Sequence, residues 1–157
     1  MSGQRAKARG GEQVGILVPA GTGEIDDRLA SLLGGERRAA GAGGGVSALP
    51  LTPAYSISKA AAFSLTQSLR ALLAGRGVRV HAVLTGPVDT DMTRGFDIPK
   101  ASAESVARAI FDGVENGEED IFPDPTSASL ADGWRDGVAK AFERQNATFV
   151  QPQPAAT

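Results

Sequence analysis

The chain of 157 residues has no cysteine, which excludes disulfide staples, thiolate metal ligands and a cysteine nucleophile. Aromatic residues are scarce at 5%, with one tyrosine and one tryptophan, so the single phenol stands out. There is one histidine, His81. It lies in a β-rich run and is read as a hydrogen-bonded strand histidine, not a catalytic base. Neither charge sign dominates: sixteen Lys and Arg against eighteen Asp and Glu give a formal charge of -2. That balance leaves no electrostatic footprint for nucleic acid or an anionic membrane. No apolar run is long enough to span a bilayer, and Met1 to Gly11 is basic and glycine-rich, without the apolar segment of a secretory signal. Asp89, Asp91, Asp120 and Asp124 have no histidine partners and no metal-loop spacing, so they read as caps and surface and no metal is expected. These absences together point to a cytoplasmic protein that acts on a small molecule.

Hydrophobic residues make up 41% of the chain, enough for one globular domain over residues 13–150. Residues 1–12 and 151–157 read as a disordered arm and tail. Val14 to Val18 has strand character, and Gly21 and Gly23 follow it before Ile25, Leu29, Leu32 and Leu33 recur at helical spacing. A strand, a glycine turn and a helix is the order of a nucleotide-binding βα opening. Glu24, Asp26 and Asp27 would repel a phosphate there, so a plain βα unit is the preferred reading. Residues 34–45 are glycine-dense and read as a flexible connection.

The helix from about Tyr55 to Ala74 is expected to bury Ala62, Leu65, Leu69, Leu72 and Leu73 and to expose Ser64, Gln67, Ser68 and Arg70. Val78 to Leu84 follows as a parallel strand. Ser102 should cap a helix whose apolar face is Val106, Ala107, Ile110, Phe111 and Val114. Glu119 to Pro123 offers another short strand. Leu130, Trp134, Val138 and Phe142 suggest one last helix. The fold class is α/β: an incomplete Rossmann-like parallel sheet flanked by helices.

Tyr55 and Lys59 lie one turn apart on one face of their helix. A phenol titrates near about 10 in water, and a fixed cation beside it favours the phenolate, which makes the pair a candidate general acid/base. Ligands in open α/β sheets bind beyond the carboxyl ends of the strands. The loop Gly86-Pro87-Val88-Asp89-Thr90 is therefore the expected place for a site.

The run Pro53-Ala54-Tyr55-Ser56-Ile57-Ser58-Lys59-Ala60-Ala61, the strand Gly77-Val78-Arg79-Val80-His81-Ala82-Val83 and the loop from Gly86 to Thr90 together resemble the short-chain dehydrogenase/reductase family, over about residues 46–150. The resemblance implies an NAD- or NADP-dependent oxidoreductase acting on a carbonyl or alcohol. It makes Tyr55 the proton donor or acceptor, assisted by Lys59, which would also hold the nicotinamide ribose. Gly86, Pro87, Val88 and Thr90 would bind the cofactor, with the Val88 backbone and the Thr90 hydroxyl on its carboxamide. It also implies a homo-oligomer through the Tyr55–Leu73 helix.

The chain departs from the family pattern in residues 13–45. Fifty-four residues precede Tyr55, and none of them forms the family's T-G-x-x-x-G-x-G turn, so the cofactor half reads as truncated or atypical. The family's strand-end serine would fall near Ala42 and Gly43, while Ser47 reads as a loop serine. The alternative to an enzyme is therefore a truncated, non-catalytic relative that acts as a dimerising or structural module.

Overall fold

The computed structural model describes residues 13–17, 46–50, 52–76 and 78–150. The expected arm, the tail and the turn–helix after the first strand lie outside the described residues. Three parallel strands form the sheet in the order β1-β2-β3: β1 is Gln13–Leu17, β2 Val78–Val83 and β3 Asp120–Ile121. Gln13 pairs with Val78 and Leu17 with Ala82, and on the other side Ala82 pairs with Asp120. Parallel neighbours need a crossover connection, usually a helix. Between β1 and β2 that element is α1, Pro53–Leu73, and between β2 and β3 it is α2, Ala103–Glu115. The chain closes with α3, Pro125–Arg135, and α4, Val138–Ala147.

The strand expected at Val14 to Val18 is present as β1, and it flanks β2 directly in the sheet.

Local chemistry accounts for the element ends. Pro53 sits in the first turn of α1, where its missing N–H costs nothing. The buried Ser56 accepts a hydrogen bond from the Leu49 N–H at 2.8 Å and so ties the entering turn to the helix. Ser102 caps α2 as expected, its side chain accepting from the Ser105 N–H at 3.1 Å. Beyond α2 the chain turns at Gly117, whose φ of 73° is open to glycine and strained for other residues.

The core lies between α1 and the face of β2 that carries Val80 and Ala82. Phe63, Ala82 and Leu84 form its centre, with Val46, Phe122 and Trp134 packed around them. Phe63 meets Trp134 edge-on, with centroids 5.4 Å apart. Such a contact adds about 0.5–1.5 kcal/mol beyond area burial.

Several apolar faces differ from expectation. Leu65 and Leu72 are 54% and 56% exposed; α1 instead turns Ala54, Ser56, Phe63 and Thr66 inward. Thr66 is tolerated in the interior because its hydroxyl donates to the Ala62 carbonyl at 2.9 Å. Ala107 and Phe111 of α2 face outward. The expected final helix is two helices broken at Asp136-Gly137, and Leu130, Val138 and Phe142 are all exposed.

The greatest departure is Arg70, expected in solvent. Its guanidinium pairs with Asp120 at 2.7 Å and with Glu143, while its Nε donates to the Val80 carbonyl at 2.9 Å. Lys140, only 2% exposed, pairs with Asp120 at 2.7 Å, Glu119 at 2.9 Å and Glu143 at 3.0 Å. The Trp134 indole N–H donates to Asp120 at 2.8 Å. Here α1, β2, β3 and the last two helices meet in one ionic clasp.

The clasp governs how stability responds to pH. Burial opposes the charge on Asp120, but Arg70, Lys140 and Trp134 together hold its carboxyl below the ordinary value of 3.8. Its contribution is present above the unfolded pKa of about 3.9 and is lost as pH falls through the folded one. Burial likewise opposes the charge on Lys140, and Asp120, Glu119 and Glu143 hold its ammonium above 10.5. That contribution is complete below the unfolded pKa of about 10.4 and is lost as pH rises through the folded one. Urea denaturation should therefore give a stability plateau bounded by losses below about pH 4 and above about pH 10.5. Lys140→Ala, which leaves Arg70 as the one clasp cation facing the buried carboxylates of Asp120 and Glu143, should cost about 3–5 kcal/mol at pH 7 in the same assay. A loss under about 1 kcal/mol would show that the clasp is not structural.

Candidate active site

Tyr55 lies in the first turn of α1. Because α1 runs back against parallel strands, its amino end sits at the carboxyl edge of the sheet, the edge from which β2 leads into the loop that begins at Leu84. The Lys59 ammonium stands over the Tyr55 ring, 5.0 Å from the centroid. That is the one-turn spacing expected from the sequence, realised as a cation over an aromatic face. Both side chains are half-buried, and Ser58 Oγ donates to the Tyr55 carbonyl at 2.8 Å.

The loop after β2 is the other half of this edge. Gly86 is buried, and its N–H donates to Asp124 Oδ2 at 2.5 Å. A Cβ at this position would lie 2.3 Å from Asp124 Oδ1 and 2.9 Å from Thr126 Cβ, so only glycine fits. The Pro87 carbonyl accepts from the Ala101 N–H at 2.9 Å, and the Asp89 N–H donates to the Ala101 carbonyl at 2.8 Å. These two bonds make a parallel bridge between Val88 and Ala101. An extended residue projects its own N–H and C=O to one side, so the bridge turns those of Val88 away from Ala101. There the Val88 carbonyl accepts from Thr93 Oγ1 at 2.5 Å. Thr90 is exposed, and its hydroxyl reaches the Val88 carbonyl only at 3.5 Å, the outer limit of a hydrogen bond.

Gly86 and Pro87 thus have their polar groups engaged in building the loop. Val88 N–H and Thr90 Oγ1 are the groups it presents. Asp124 is the N-cap of α3, a role the sequence reading allowed it, but its bond to the Gly86 N–H was not expected, and Thr93 was missed by sequence reasoning.

The remaining sequence candidates fall elsewhere. His81 is buried with its Nδ1 2.6 Å from the Glu118 carbonyl, a hydrogen-bonded strand histidine as expected. Ser47 is exposed in the turn before α1. Ala42 and Gly43, where the family's strand-end serine would fall, lie outside the described residues. No group of metal-ligating side chains occurs among the described residues, and none of the described helices is long and apolar enough to cross a membrane.

Comparison with known proteins bears on the same segment. Residues 40–100 match the model of the short chain dehydrogenase family. The chain is 40% identical over 68 residues to a 1-deoxy-11-beta-hydroxypentalenate dehydrogenase of Streptomyces exfoliatus, covering 39% of this chain and 25% of that protein. It is 42% identical over 59 residues to an uncharacterized oxidoreductase of Staphylococcus epidermidis, covering 36% and 26%. Among solved structures it is similar to a short chain dehydrogenase from Burkholderia cenocepacia in complex with NADP, at 31% identity and a TM-score of 0.54, over 69% of this chain and 44% of that one. A short-chain dehydrogenase from Sphingobium yanoikuyae in complex with NADPH, 23% identical with a TM-score of 0.52, shares the fold over 74% and 46%. The chain thus spans about a quarter of the length of the curated relatives it matches.

The packing at Gly86 yields a direct test. Gly86→Ala should destabilise the protein by about 1–3 kcal/mol through overpacking against Asp124. Gly95→Ala, with nothing within 4 Å of the added carbon, should stay within about 0.5 kcal/mol of the parent. Equal effects in urea denaturation would contradict the tight fit at Gly86.

Proposed function

We infer from the premise that this chain belongs to the short chain dehydrogenase family, through residues 40–100, that it takes part in a nicotinamide-dependent interconversion of a carbonyl and an alcohol. The observation that carries this is the Tyr55–Lys59 pair, on the same sheet edge as the Gly86–Thr90 loop. The nicotinamide end of a cofactor fits what that edge offers: an amide N–H at Val88 turned outward, an exposed hydroxyl at Thr90 and the Lys59 ammonium near a ribose. When bound, NAD(H) or NADP(H) supplies or accepts the hydride. Tyr55 gives its phenolic proton to the carbonyl oxygen in reduction and takes it back in oxidation, and the Lys59 charge favours the phenolate that remains. Gly86 and Pro87 shape the loop for this purpose.

Purified protein should oxidise NADPH or NADH in the presence of a panel of aldehydes and ketones. Tyr55→Phe should reduce that turnover by about 100-fold or more while leaving nucleotide affinity near the parent's. Turnover unchanged in Tyr55→Phe would defeat the assignment.

A second reading is supported by one observation: Ile57, Leu65 and Leu72, spaced along one side of α1, are about half exposed. A non-catalytic module that self-associates through α1 would use that apolar stripe. On this reading sedimentation should show a dimer that Leu65→Glu with Leu72→Glu converts to monomer, and a monomeric parent chain would count against it.

A further inference from the structure

The loop that presents Val88 is gripped from two sides. Asp124, buried at the start of α3, accepts from the Gly86 N–H through Oδ2 at 2.5 Å and from Ser127 Oγ at 2.7 Å. Its Oδ1 accepts from the N–H groups of Thr126 and Ser127, both at 3.0 Å. One carboxylate therefore fixes the first residue of the loop to the rigid start of a helix, through charge-assisted bonds. Thr93, also buried, stands at the other end. Its Oγ1 accepts from the Thr90 N–H at 3.2 Å and lies 2.5 Å from the Val88 carbonyl and 3.2 Å from that of Thr90. A hydroxyl has one proton to donate, and the shorter contact assigns it to Val88.

The consequence follows from strand geometry. The N–H and C=O of an extended residue share a side, so a side chain that fixes the Val88 carbonyl also fixes the direction of its N–H. The bridge to Ala101 sets the opposite side. Neither Asp124 nor Thr93 has its polar group facing outward; both are engaged with the loop or the helix start.

We propose that Asp124 and Thr93 are positioning residues that pre-orient the Val88 N–H to hold the carboxamide of a nicotinamide cofactor, Asp124 through Gly86 and Thr93 through the Val88 carbonyl. The proposal rests on the cofactor reading above and names the side chains that make the loop competent for it. An ordered loop binds without the loss of freedom that an unanchored one suffers, so removing an anchor weakens binding without removing any atom that touches the ligand.

The test uses the full chain and NADPH, with NADH alongside, in calorimetric titration. Thr93→Val keeps the shape and removes the hydroxyl; Thr93→Ser restores it; Asp124→Asn keeps the shape and removes the charge. Thr93→Val and Asp124→Asn should each weaken binding by about tenfold, the equivalent of one hydrogen bond of about 1.4 kcal/mol. Thr93→Ser should recover most of the loss. Amide exchange at Gly86, Val88 and Thr90 should quicken in the weakened variants, and the Thr93→Val thermal midpoint should stay within a few degrees of the parent's. Should Asp124→Asn fail to fold, the Thr93 pair decides the matter. Parent protein that binds while Thr93→Val binds equally well overturns this proposal alone. Parent protein that binds neither nucleotide at millimolar concentration overturns the cofactor reading and this proposal with it.

Discussion

The architecture depends on the carboxylate of Asp120. It sits at the start of β3, and the guanidinium of Arg70, the ammonium of Lys140 and the indole of Trp134 converge on it. Each comes from a different helix. Buried ion pairs do not stabilise merely by being buried, since desolvation opposes them, but removing one partner leaves an uncompensated charge and is costly. The clasp therefore acts less as a source of net energy than as a condition on register: α1, α3 and α4 can close on the sheet only where these groups meet.

That condition has a spatial complement. The clasp lies beside the middle of β2, where Arg70 meets the Val80 carbonyl and β3 begins opposite Ala82, and the candidate groups lie beyond the carboxyl end of β2. With the far end of α1 held by Arg70 and its middle by Phe63 against Ala82 and Leu84, the first turn of α1 is placed by a rigid rod. Tyr55 stands eight residues before Phe63, about 12 Å along the axis. On the other side of the edge, the loop from Gly86 is fixed to the start of α3 by Asp124. A tyrosine–lysine pair and an outward amide are thus each held by an element whose opposite end is anchored in the core.

Much of this was legible in the sequence, and what was not has physical reasons. The Val78–Val83 strand, the Ser102 cap and the helix bearing Tyr55 and Lys59 follow from local pattern, and local pattern is what one sequence carries. The inward face of α1 did not follow, because a leucine stripe is only a preference. What α1 buries is decided by the small residue Ala82 opposite Phe63, which leaves Leu65 and Leu72 outside. Arg70 and Lys140 read as solvated because charged side chains usually are. Their shared partner Asp120, 50 residues from Arg70 and 20 from Lys140, meets them only through the fold. The pairing of β1 with β2 is likewise non-local. Thr93 escaped notice because a threonine in a polar loop carries no signal until its neighbour's carbonyl is seen.

The central claim is that the carboxyl edge of this sheet recognises the nicotinamide end of a dinucleotide. Saturation-transfer NMR on the full chain with NADPH reads that directly, since only ligand protons close to the protein receive magnetisation. The account predicts strong transfer to the nicotinamide ring protons, diminished in Thr93→Val. Transfer confined to the adenine protons, or none at all, would contradict it.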